Sequence, residues 1–175
     1  EECDIDALFP NNVKNIPFKN REWQNDLGQS ENVIEWIKNP QNITLIRQGI
    51  EVVSNLCNEN TKLLDIGCYG GYLFDALGRN IDYTGIDIDE EVLKQTKKIH
   101  ANYNNFRCLL VDAYNLPFKN NSFDITTCFR VLIHVPHIEE IISEQLISVS
   151  DDISIHICAV SPVVYWFLSI NALLK

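Results

Sequence analysis

The stretch Leu63-Leu64-Asp65-Ile66-Gly67-Cys68-Tyr69-Gly70-Gly71-Tyr72-Leu73-Phe74 decides the fold. Leu63, Leu64 and Ile66 read as a short buried strand with Asp65 near its carboxyl end. The glycines after it allow a sharp turn and a close backbone approach to a ligand, because no side chain stands in the way. Tyr72 then opens a helix. A glycine-rich turn is a weak signal alone, and its weight comes from the acidic strand ends spaced regularly downstream of it.

On either side of this stretch, strand-like and helix-like segments alternate. Tyr72 to Leu77 reads as a helix closed by Gly78, Ile81 to Asp89 as a second strand, and Glu90 to His100 as a helix. Phe106 to Val111 is a third strand, Phe123 to Phe129 a fourth, Ile138 to Val149 a helix and Ile153 to Val160 a fifth strand. Val163 to Leu174 reads as a final apolar helix. Such alternation implies α/β architecture with a doubly wound, mainly parallel sheet. Before the first strand, Ser30 is a suitable N-cap for a helix through Lys38, ended by Asn39-Pro40. A second helix spans about Asn42 to Cys57, and both are expected to pack beside or over the carboxyl end of the first strand. Residues 1 to 29 read as an irregular arm or lid carrying Trp23. Residues 1–60 thus form an N-terminal arm and helical cover, and 61–175 the Rossmann-like domain.

Composition limits the function classes. At 175 residues the chain is one domain's worth, and 46% hydrophobic against 22% charged residues marks it as globular. A net charge of −10 argues against nucleic acid as a partner. Lys94, Lys97 and Lys98 read as a solvated helix face. Six scattered cysteines, with no C-x-x-C pair, fit a reduced cytoplasmic protein better than a disulfide framework. The apolar tail is interrupted by His156, Ser161, Pro162 and Asn171, so it is a poor membrane span. The absence of methionine is expected of a segment of a longer protein or of a sequence with omitted residues. No His/Cys/Asp cluster has metal-ligand spacing.

Asp65, Asp87 and Asp112 fall at three consecutive strand ends. Parallel strands direct their carboxyl ends to one edge, so these carboxylates converge on one crevice. Asp87 follows Gly71 by sixteen residues, where a nucleotide-binding fold places its ribose-binding acid. Any one of them alone reads better as the N-cap of the next helix; three in register with a glycine turn point to a ligand site. A dinucleotide would set its pyrophosphate on the turn, where helix N–H groups favour anions. Asp65 beside that turn repels a pyrophosphate and attracts a ligand carrying an ammonium and a sulfonium. That ligand chemistry is S-adenosylmethionine.

On these residues the sequence resembles the class I S-adenosylmethionine-dependent methyltransferases, in the small-molecule branch that includes quinone-biosynthesis enzymes. The resemblance runs from about Thr61 to Val135 and more weakly to Val160. It is carried by Leu64–Gly71, by Gly85-Ile86-Asp87-Ile88, by Val111-Asp112-Ala113 with Leu116-Pro117-Phe118, and by Ser122-Phe123-Asp124-Ile125 running to His134-Val135. It implies transfer of a methyl group from S-adenosylmethionine to a small-molecule substrate. It further implies that Asp65, Gly67, Cys68, Tyr69 and Gly71 surround the methionine end and that Asp87 holds the ribose. Asp112 would accept from the adenine amino group, with Ile88 and Ala113 against the ring, and Phe129 and Arg130 would lie beside the cofactor. His134 is the candidate general base, against the plainer reading of a structurally bonded histidine; His137 reads as surface.

Three departures from the family pattern stand out. Tyr69 replaces the middle glycine, which requires either an unstrained negative φ there or a shifted ligand. Ser148 to Asp152 replaces the usual Lys-Pro-Gly-Gly turn. The antiparallel strands that complete the family's sheet are expected to be missing, which leaves Ile153 to Leu174 partly uncovered and favours truncation or a homodimer. The alternatives are a noncatalytic S-adenosylmethionine-binding module and a nicotinamide-dependent oxidoreductase. Trp23 and Trp36 are expected near the carboxyl edge of the sheet, as part of a cover that excludes water.

Overall fold

The computed structural model describes residues 49–129, 131, 135–148, 156–160 and 163–167, with side chains followed as far as Glu144. The arm with Trp23 and Trp36, and the helix from Ser30, lie outside the described residues.

Residues 49–56 are helical (α1) and lead into β1 (Lys62–Ile66). The chain continues through α2 (Tyr72–Ala76), β2 (Asp82–Asp87), α3 (Glu90–Ile99), β3 (Phe106–Leu110), β4 (Ile125–Phe129), α4 (Ile138–Ser148), β5 (His156–Val160) and β6 (Val163–Phe167). The strands form one sheet in the order β3-β2-β1-β4-β5-β6. β1 pairs in parallel with β2 from Lys62↔Asp82 to Ile66↔Ile86, and on its other side with β4. The order reverses between β1 and β4, and the crevice at such a reversal, beyond the carboxyl ends, is where open α/β sheets bind ligands.

Adjacent leucines explain why β1 lies centrally. Leu63 and Leu64 are both fully buried and point to opposite faces, as a strand covered on both sides requires. Leu63 joins Val53, Leu73, Phe74, Tyr83 and Leu93 on the face that carries α1, α2 and α3. Leu64 joins Ile66, Ile86, Val111, Phe123 and Ile141 on the face that carries α4. α1 reaches the carboxyl end of β4: a Cβ on Gly49 would lie 2.5 Å from the Phe129 ring, so the helix backbone rests on that ring.

α3 has explicit ends. The Asp89 carboxylate accepts from the N–H groups of Glu91 and Val92, both at 3.0 Å. Glu90 and Glu91 in the first turn and Lys97 and Lys98 in the last complement the helix dipole. The lysine face is exposed as expected, and Lys94 pairs with Glu91 at 2.8 Å.

The expectation of a helix from Val163 and of a sheet without antiparallel strands is corrected here. β6 runs antiparallel to β5, in register from Val160↔Val163 to His156↔Phe167. Only two residues separate the strands, and a connection that short permits only antiparallel pairing. The run Val-Val-Tyr-Trp-Phe is also β-branched and aromatic throughout, the composition that suits a pleated strand.

β2 approaches the turn after β1 closely because Gly85 lacks a side chain. A Cβ there would lie 2.6 Å from both Cβ and Sγ of buried Cys68. Gly85→Ala is therefore expected to lower the free energy of unfolding by about 1–3 kcal/mol, the usual penalty for overpacking. Urea denaturation checks it; unchanged stability would mean that Cys68 does not pack on β2.

Candidate active site

Three acids stand at the carboxyl ends of neighbouring strands, as their spacing predicts. Asp65 lies in β1, Asp87 ends β2, and Asp112 follows β3 by two residues. The turn between β1 and α2 is fastened to the end of β2. Gly67 and Cys68 both donate their N–H groups to the Ile86 carbonyl, at 2.8 and 3.0 Å. Gly67 and Gly71 adopt φ of 73° and 76°, in the left-handed region open to glycine. A Cβ on Gly67 would also lie 2.1 Å from Val131 Cγ2, so the segment after β4 closes directly on the turn. Phe129 and Val131 thus flank the crevice between β1 and β4. Arg130 and His134 lie outside the described residues.

Tyr69 takes the conformation its side chain disfavours. Its φ is 44°, which removes the alternative of negative φ and leaves that of a shifted ligand. A left-handed non-glycine residue costs about 1–2 kcal/mol, and here local bonds offset that cost. The Tyr69 N–H donates to Asp87 Oδ2 at 2.9 Å, and the Thr96 hydroxyl lies 3.0 Å from the Tyr69 carbonyl. The ring stacks on Tyr72, with centroids 6.0 Å apart and planes 19° off parallel, and Tyr72 in turn lies against Gly70.

Asp87 holds the turn as well as facing it. Its Oδ1 accepts from the N–H groups of Ile88 and Asp89, at 2.7 and 3.1 Å, and its Oδ2 from Tyr69. A carboxylate offers about four acceptor positions, so one position remains on Oδ2. Burial raises its pKa, the three N–H groups work against that rise, and the Asp89 charge adds to it.

Asp65 is buried, with its Oδ2 accepting from the Tyr83 hydroxyl at 2.6 Å and its Oδ1 from Thr127 at 2.8 Å. Burial pushes its pKa up to about 6, against the two hydroxyl bonds and with a further push from the Asp87 charge. The Tyr83 phenol, itself pushed well up by burial, remains a donor. Among the described residues no lysine or arginine pairs with Asp65 or Asp87. The site therefore concentrates negative charge at low solvent exposure, an environment that a cation relieves.

Asp112 is buried and accepts from the Tyr114 N–H at 3.0 Å, an Asx turn that swings the chain away from β3. Ala113 packs on the Leu64 face, and Ile88 is half-buried beyond Asp87. The Cys68 thiol is pushed well up by burial, so it is a packing group and not a nucleophile. Among the described residues no three His, Cys, Asp or Glu side chains could hold a metal ion. Tyr83, Thr127 and Thr96 escaped the sequence reading. Tyr83 and Thr127 become visible only with the strand register, since Asp65 pairs with Gly85 and Thr127 across the sheet.

With this geometry in view, the comparisons with known proteins agree. Residues 64–146 match the methyltransferase domain family. A ubiquinone biosynthesis O-methyltransferase of Psychrobacter arcticus is 29% identical over 141 residues, covering 73% of this chain and 54% of the relative. A demethylmenaquinone methyltransferase of Staphylococcus aureus is 38% identical over 82 residues, covering 45% of this chain and 34% of the relative. The chain thus spans about half or less of the length of these relatives. The crystal structure of a SAM-dependent methyltransferase from Aquifex aeolicus superposes with a TM-score of 0.56 at 14% identity, over 75% of this chain and 72% of the other. The resemblance to the class I small-molecule methyltransferases is borne out over residues 64–146, which match that domain family and lie on a Rossmann-like sheet.

The buried acid has a thermodynamic signature. A folded-state pKa raised from 3.8 to about 6 means that the neutral form stabilises the fold. That stability is fully present below the unfolded value and is lost as pH rises through about 6; it amounts to something on the order of 3 kcal/mol. Asp65→Asn is expected to remove this component, so that the difference in melting temperature between variant and parent grows in the variant's favour from pH 4 to 7, roughly the span of the shift. A constant difference across that range would show that Asp65 does not titrate in the fold.

Proposed function

We propose that this chain binds S-adenosylmethionine in the crevice between β1 and β4 and transfers its methyl group to a small-molecule acceptor. The carrying observation is the pair Asp65 and Asp87 around a glycine turn, with no lysine or arginine paired to either among the described residues, which suits a cationic methionine end and disfavours a pyrophosphate. The site residues fit that ligand. Asp87 retains one acceptor position for a ribose hydroxyl, Asp65 is separated by one residue from the turn where the ammonium would lie, and Asp112 with Ile88 and Ala113 would receive the adenine. Gly67, Cys68, Tyr69 and Gly71 supply the turn, and by the family resemblance Phe129 and Arg130 would lie beside the cofactor. When bound, the sulfonium supplies an activated methyl carbon for in-line displacement.

The chain's own contribution is chiefly positioning, which can supply several kcal/mol of a barrier. Deprotonating the acceptor would fall to His134, the candidate general base of the sequence pattern. The names of the relatives support a quinone-precursor acceptor. Cys57, Cys68 and Cys108, the last two buried, are free thiols among the described residues and support a reducing cytoplasmic setting. Among the described residues no helix is long and apolar enough to cross a membrane. We retain the division at residue 60 and the homodimer through Ile153 to Leu174 as parts of the same proposal, supported by their sequence patterns.

Calorimetric titration with S-adenosylhomocysteine is expected to show binding, and titration with NAD none. Asp87→Ala is expected to lose about 1.5–3 kcal/mol of affinity, the worth of hydrogen bonds to a charged group. Asp87→Asn turns an amide nitrogen toward an N–H donor and loses affinity as well. Full affinity in the alanine variant would remove Asp87 from the site. Transfer of labelled methyl to phenolic quinone precursors tests the reaction itself, and binding without transfer would leave a binding module in its place.

A further inference from the structure

His100 lies under the glycine turn and has no part in the proposed methyl transfer. Its side chain is 1% exposed. The ring stacks on Phe106, with centroids 4.2 Å apart and planes 20° off parallel, and meets Phe74 edge-on at 5.7 Å. A Cβ on Gly71 would lie 2.9 Å from its Cε1, so the last glycine of the turn rests on this ring.

Both ring nitrogens face acceptors. Nδ1 lies 3.0 Å from the Thr96 carbonyl, and Nε2 lies 3.2 Å from Asp75 Oδ1. Neither oxygen carries a proton, so both contacts are hydrogen bonds only when both nitrogens are protonated. A neutral ring must turn a lone pair toward one of them. The two acceptors belong to the two elements that hold the turn. Asp75 sits in α2, whose N-cap is Gly71, and Thr96 sits in α3, its hydroxyl proton shared between the Tyr69 and Val92 carbonyls.

The remaining charged and titratable neighbours are few among the described residues. Arg79 donates to Asp75 at 2.8 Å and bonds the Tyr103 hydroxyl. Lys97, Tyr103, Arg107 and Cys108 line, with His100, an open groove of about 220 Å³ at the free edge of β3. The groove gives protons a route to an otherwise buried ring.

We propose that His100 is a positioning residue for the glycine turn, and that its second proton tightens the turn and raises affinity for the nucleoside ligand. The proposal rests on the reading of the crevice as an S-adenosylmethionine site. When the proton leaves, the tie to α2 opens, Asp75 is held by Arg79 alone, and Gly71 loses one flank of its support.

The test is S-adenosylhomocysteine affinity measured across the neutral pH range, in the parent, Asp75→Asn and His100→Phe. Parent affinity is expected to fall about five- to tenfold more steeply over that range than that of Asp75→Asn, the effect of one charge-assisted bond. The asparagine can donate to a neutral Nε2 or accept from a charged one, so its profile flattens, and the ratio of the two profiles cancels the titration of Asp65. His100→Phe keeps the stacking and is expected to be weak and flat. Equal slopes in the parent and Asp75→Asn would overturn the proposal.

Nitrogen-15 spectra of the imidazole in the ligand-free protein separate this idea from the reading of the site. Gly71 and Tyr72 amide shifts that track the ring's titration uphold the device even where no variant binds S-adenosylhomocysteine. Such a lack of binding would refute the cofactor reading alone. Amides that ignore the titration overturn the device whatever binds.

Discussion

The Asp87 carboxylate is the contact on which the site depends. Three backbone N–H groups, from Tyr69, Ile88 and Asp89, converge on its two oxygens. One of them reaches across from the turn after β1, so the acid that ends β2 also sets the height and angle of the glycine loop. The Ile86 carbonyl, accepting from Gly67 and Cys68, fastens the other end of the same turn. Gly85, just before them, allows the approach because nothing projects from it toward Cys68. The loop is thus held by the strand beside it, and a strained residue at its centre, Tyr69, becomes tolerable.

The electrostatic design comes from that geometry. Asp65 and Asp87 are pushed up in pKa chiefly by burial, with the Asp87 charge adding to the rise at Asp65 and the Asp89 charge to that at Asp87. Hydroxyls and amides stabilise them, with no lysine or arginine paired to either among the described residues. Neutral donors leave the negative charge available for an incoming cation, whereas a built-in lysine would cancel it. A ligand with an ammonium and a sulfonium completes such a site. A phosphate-bearing one meets repulsion where helix N–H groups would otherwise welcome it.

Much of this was legible in the sequence because it rests on local pattern. The buried strand Leu63 to Ile66, the glycine turn and the acid at each strand end are contiguous signals, and right-handed connections between parallel strands then bring the acids to one edge. The lysine face of α3 was legible for the same reason. What escaped depends on register or on competition. Tyr83 meets Asp65 only because of how β1 pairs with β2. Tyr69 adopts positive φ because Asp87 and Thr96 together outweigh its steric preference. Val163 to Phe167 carries an apolar run that fits either a helix or a strand, and the two-residue connection to β5 settles it as an antiparallel strand. His100 looked like a helix end in the sequence, and only packing puts it beneath Gly71.

Amide chemical shifts during titration with S-adenosylhomocysteine test the central claim most directly. The expected perturbations fall on Gly67 to Gly71, Asp87 to Asp89 and Asp112 to Tyr114, three stretches far apart in sequence and joined only at the carboxyl edge of β1, β2 and β3. Perturbations confined to the groove lined by Lys97, Tyr103 and Arg107, or none at saturating ligand, would contradict it.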